Sequence, residues 1–104
     1  MAVERIDLSF ESYKLPLDLT VDGEQKELHL QDLPFAVYNR YKTEASDPDK
    51  AMDALTDYAV AILNSNTEGI EFAREYVEAF GAVKLKTLCT LYTEWLNSVL
   101  YEKN

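Results

Sequence analysis

Residues 14–31 read KLPLDLTVDGEQKELHLQ. Leu15, Leu17, Leu19 and Val21 are separated by Pro16, Asp18 and Thr20; Asp22-Gly23 follows, and Leu28 and Leu30 resume the alternation. Apolar residues at every second position mark strands, because successive side chains point to opposite faces. Asp-Gly supports the positive dihedrals of a tight hairpin turn. A two-residue turn there sets Leu17 opposite Leu28 and Leu15 opposite Leu30, which places every one of these leucines on one face.

Upstream, Ile6, Leu8 and Phe10 also alternate with polar residues. A four-residue loop over 11–14 sets Phe10 opposite Leu15, Leu8 opposite Leu17 and Ile6 opposite Leu19. The expectation is an antiparallel hairpin or a three-stranded meander over about residues 4–31, greasy on one side. Pro16 complicates it. Proline donates no ladder hydrogen bond and fits badly in a central strand. Pairing that begins after Pro16, a bulge there, or a different strand order would each remove the conflict.

Downstream the period changes. Leu33-Pro34 opens a short predicted helix with Val37, Tyr38 and Tyr41. Ser46-Asp47-Pro48-Asp49 breaks the pattern, with Asp47 placed to cap and Pro48 suited to a first helical position. The second predicted helix carries Met52, Leu55, Tyr58, Ala59, Ile62 and Leu63, and stops at Asn64-Ser65-Asn66. Ser65 and Glu68 have capping-box spacing. The third then carries Ile70, Ala73, Val77 and Phe80 and ends at Gly81, read as a left-handed terminal residue. The fourth runs from about Val83 to Tyr101. Its apolar residues are Leu85, Leu88, Cys89, Leu91, Tyr92, Trp95, Leu96, Val99 and Leu100. A one-faced sheet must pack on something, and the helices are the available cover. The expected architecture is one α+β domain over 1–104, with a β segment at about 4–31 and a bundle of about four helices at about 34–101.

The chain has 104 residues and a formal net charge of −9. That charge makes phosphate backbones and anionic membranes poor partners. No apolar run is long enough to span a bilayer, and MAVERIDLSF lacks the features of a signal peptide, so a cytoplasmic location is expected. Cys89 is the single cysteine. Within an apolar helical pattern it reads as a small core residue rather than a nucleophile.

Catalysis needs converging groups, and few are available. His29, the only histidine, falls on the polar side of the second strand of the Asp-Gly hairpin. One Cys and one His cannot furnish a zinc site. Asp47, Asp49 and Asp53 lack the central Gly of a calcium loop, and Pro48 interrupts them. Glu68, Glu71, Glu75 and Glu78 fall at helical spacing and read as a solvated face, with Arg74 near enough to pair with Glu71 or Glu78. No catalytic, cofactor or metal residues are assigned, and an enzyme is not expected. The stripe on the fourth helix is wider than one neighbour should cover, which points to Leu91, Trp95, Leu96 and Leu100 as a self-association or partner-binding surface.

The order of features resembles the short tail assembly chaperones of long-tailed bacteriophages. The stretches that carry the resemblance are KLPLDLTVDGEQKELHL, SDPDKAMDAL and EYVEAFGAVKLKTLCTLYTEWLNSVL. It implies a small acidic protein that coats a long helical tape measure protein, keeps it soluble, helps recruit tail tube subunits and self-associates along the rod. An acidic inhibitor or immunity-type protein, blocking one basic target, is the alternative reading.

Overall fold

Val21 pairs with Glu24 across a two-residue turn in which Gly23 adopts φ 81°. Glycine reaches that conformation without a Cβ penalty. A computed structural model describes residues 14–21 and 23–102, the last three by their backbone alone. β1 (Leu15–Val21) and β2 (Glu24–Leu30) form an antiparallel hairpin, with Leu17 opposite Leu28 and Leu15 opposite Leu30 as expected. Leu28 and Leu30 are fully buried, and Leu15, Leu17, Leu19 and Val21 pack half-buried against the same core. Ile6, Leu8 and Phe10, the basis of the third strand of a meander, lie outside the described residues.

Pro16 is paired with His29, and no bulge interrupts the register. The reason lies in the hydrogen bonds of His29. Its N–H donates to Glu68 and its carbonyl accepts from the Thr67 N–H. Both groups therefore point away from β1. Pro16 occupies a non-hydrogen-bonded pair of the antiparallel ladder, where no donor toward β2 is required.

Four helices follow among the described residues: α1 (Phe35–Glu44), α2 (Ala51–Asn64), α3 (Arg74–Glu78) and α4 (Ala82–Glu102). The fold is α+β, a hairpin followed by helices. α1 starts after Pro34, as expected. Asp47 caps the turn that leads into α2: its Oδ1 accepts the Asp49 N–H and its carbonyl the Lys50 N–H. The helix proper begins later than Pro48, at Ala51.

The α2 stripe of Tyr58, Ala59, Ile62 and Leu63 is buried, whereas Met52 is exposed at the first turn. Tyr58 sits at the centre of an aromatic group. It stacks on Tyr41 of α1 at 4.3 Å and meets Tyr92 of α4 edge-on at 5.9 Å, both favourable ring geometries. Tyr38 and Tyr41 are half-buried at the edge of the core.

The third helix departs from expectation. It begins at Arg74, and Ser65 closes α2 instead of capping α3. Residues 65–73 form a loop held by two asparagines. Asn64 both accepts from the Phe72 N–H and donates to the Phe72 carbonyl. Buried Asn66 does the same with Ile70 and also donates to the Leu63 carbonyl. These side-chain bonds supply the loop backbone with the partners a helix would have offered. Glu68 is used elsewhere, on His29. Gly81 has no positive φ; the left-handed glycine of this region is Gly69, at φ 75° in the loop.

Candidate interaction surface

α4 is the longest helix, and its inner line of Leu85, Leu88, Cys89 and Tyr92 is buried. It is anchored to α2 by a hydrogen bond of 3.2 Å between the Tyr58 hydroxyl and Thr93 Oγ1, and by Cys89 Sγ donating to the Leu55 carbonyl. The Tyr92 hydroxyl donates to the Gln31 carbonyl at the end of β2. Burial pushes the Cys89 thiol and the Tyr58 phenol each up to about 12, so both stay neutral across the ordinary pH range.

The residues singled out on α4 divide between this buried line and one flank of it. Leu91 is 53% exposed. Trp95, one turn on, is half-buried and lies 5.5 Å from the Tyr92 ring. Leu96 also packs partly on the core. Leu91 and Leu96 are five residues apart, hence about 140° apart around the helix. Leu91 and Trp95 follow one flank, whereas Leu96, seven residues after Cys89 and eleven after Leu85, continues the buried line, with position 100 one turn further on. The side chain of Leu100 lies outside the described residues. The wide stripe thus has a buried centre, and Leu91 on its flank is its most exposed described member.

The charged residues make structural links. Arg74 bonds Asp57 and approaches Asp53 at 3.4 Å and Glu78 at 3.8 Å. The Glu78 link was readable from i,i+4 spacing; the two links to α2 were not. Glu71, Glu75 and Glu78 are exposed, although Glu68 and Glu71 precede α3 and do not extend a helical stripe. His29 is more engaged than a surface histidine. Its Nδ1 lies 2.7 Å from Glu68 Oε2 and its Nε2 lies 3.7 Å from Glu27 Oε1. Among the described residues, no three His, Cys, Asp or Glu side chains gather as a metal site requires, and no helix is long and apolar enough to cross a membrane.

One feature escaped the sequence reading. The facing stripes of α1 and α2 enclose an open cavity whose walls include Val37, Tyr41, Ala54 and Tyr58 and whose charged lining is Arg40, Glu44 and Asp57. Its only sequence signals are Arg40 and Glu44 at i,i+4 and the small Ala54 in an apolar stripe. No protein-family model, curated protein or solved structure matches the chain.

Proposed function

We propose that this chain is a tail assembly chaperone of a long-tailed bacteriophage. It acts by binding, without catalysis, in the host cytoplasm. It covers the long helical tape measure protein, keeps it soluble and helps recruit tail tube subunits. The observation that carries this reading is the layout: a hairpin followed by a helical bundle, in a 104-residue chain of net charge −9. The flank of α4 that bears exposed Leu91 and half-buried Trp95 supports it. A long amphipathic rod displays apolar seams that invite aggregation. A helix flank can cover such a seam, while the acidic surface keeps the complex soluble. Several copies along one rod favour self-association.

The exposed Glu71, Glu75 and Glu78 favour a second reading, an acidic inhibitor of one basic protein. Co-expression with a coiled-coil tape measure fragment separates the two. A chaperone raises the soluble yield of the fragment and sediments with it in multiple copies, and Leu91→Lys reduces both effects without unfolding the domain. An inhibitor forms a complex of fixed stoichiometry with a single basic target and leaves the fragment insoluble. Sedimentation showing only monomer at high concentration, with no fragment bound, overturns the chaperone reading.

A further inference from the structure

The cavity between α1 and α2 measures about 150 Å³. It arises from side-chain size. Positions 37, 40, 41 and 44 share one face of α1, and 54, 57 and 58 share the facing stripe of α2. Tyr58 fills its level of the interface by stacking on Tyr41. Ala54, one turn earlier, offers only a methyl group and leaves space unfilled. The volume suits one long side chain; pockets for whole small molecules are typically several hundred Å³.

Burial separates the inner wall from the rim. Ala54 and Tyr58 are 2% and 1% exposed, while the Arg40 side chain is 70% and that of Asp57 45% exposed. Of the residues that line the cavity, Glu44 and Asp57 supply two carboxylates against the one guanidinium of Arg40; Arg74, which bonds Asp57, is shared with Asp53 and Glu78 outside the lining. Arg40 is held to Glu44 by one surface i,i+4 pair at 3.2 Å. Such a pair is worth little and can open. The inner wall is apolar and aromatic, and the rim carries excess negative charge. A long aliphatic stem ending in a positive charge complements both.

We propose that this cavity is a socket for one cationic side chain, arginine or lysine, presented by a protein partner. The stem lies against Val37 and Tyr41, and the head group takes the place of Arg40 beside Glu44 and near Asp57. The socket is independent of whether that partner is a tape measure protein, and free amino-acid amides test it without one.

The test is an amide-shift titration of the full chain with N-acetyl-arginine methylamide and, in parallel, with its neutral counterpart N-acetyl-norleucine methylamide. The arginine amide should produce saturable shifts centred on Val37, Tyr41, Glu44, Ala54 and Asp57, and added salt should weaken them. Glu44→Gln, an isosteric change at a half-buried side chain whose unaltered spectrum elsewhere reports an intact fold, should weaken binding about fivefold, as expected for one nearby charge. Equal binding of the norleucine amide would show an apolar socket and overturn the proposal. So would indifference to Glu44→Gln, or the absence of saturable shifts at these residues.

Discussion

Glu68 Oε1 accepts the backbone N–H of His29 at 2.8 Å while its Oε2 lies 2.7 Å from the His29 ring Nδ1. One carboxylate thus engages both the main chain and the side chain of a residue 39 positions away. Thr67 completes the clasp by donating its N–H to the His29 carbonyl. Ser65 meets Gln31 next along: its Oγ accepts the Gln31 N–H, and its carbonyl accepts from Gln31 Nε2. The outer edge of β2 is therefore covered by the loop between α2 and α3, which satisfies strand groups that would otherwise invite a foreign strand.

This clasp sets an acid response. The bond to the His29 ring, then that to its backbone N–H, holds the Glu68 carboxyl down to about 2 from an ordinary 4.5. A depressed carboxyl pKa stabilises the fold fully above the unfolded value, and that stability is lost as pH falls toward the folded one. Chemical-denaturation midpoints should therefore drop between about pH 4.5 and 2, and Glu68→Gln should flatten that part of the curve. An unchanged acid limb in the variant would remove Glu68 from the account.

Burial of Cys89 sets an alkaline response. Its folded pKa of about 12 stands above an ordinary 9.0, with the Tyr58 phenol raised to about 12 from 10.0. Raised acidic groups stabilise the fold below their unfolded values and lose that contribution as pH rises toward the folded ones. Stability should decline above about pH 9, by up to about 1.4 kcal/mol per pH unit for each such group. At pH 8 an aromatic disulfide reagent should leave Cys89 unmodified in the native protein and label it on unfolding. Labelling at the rate of a free thiol under native conditions is the contrary result.

Leu28 is fully buried against the helices, and Leu17 opposite it is half-buried. Leu28→Ala should cost about 3 kcal/mol through lost transfer energy and a residual cavity. Leu17→Ala should cost less. Urea unfolding measures both, and the reverse order would mean that the hairpin presents its other strand to the core.

Asn66 is 7% exposed, and its amide serves Leu63 and both backbone groups of Ile70. Asn66→Ala leaves these groups unpartnered at a cost of about 2 kcal/mol. Thermal unfolding should shift down by about 8–16 °C for a domain of this size. Hydrogen exchange at Ile70 should accelerate more than at Leu63, whose N–H lies within α2.

Replacing Glu71, Glu75 and Glu78 together by Gln should leave the fold intact, because all three are exposed. Only the long pair of Glu78 with Arg74 is lost among the described ion pairs, and exposed pairs are worth less than about 1 kcal/mol. Amide shifts confined to residues 70–80 and to the neighbouring part of α2 are expected. Collapse of the spectrum would assign these carboxylates a structural role that their exposure does not suggest.

The hairpin register was legible in residues 14–31 because it follows from a period of two and a two-residue turn, both local properties. The same holds for the buried line of α4 and for α2, where helical spacing of apolar side chains specifies which face must leave water. The flank of α4 was not separable from that line in advance, since a list of apolar residues does not say how far the neighbouring α2 reaches around the helix. The fate of Ser65 and Glu68 was not local either. Their spacing suits a capping box, yet a carboxylate that meets both donors of His29 lies on a strand edge brought near by packing, and that contact competes with the cap. The cavity beside Tyr41 depends likewise on distance relationships. Ala54 leaves a gap only because α1 and α2 are held apart at the Tyr41–Tyr58 stack, and no run of residues in either helix encodes that separation.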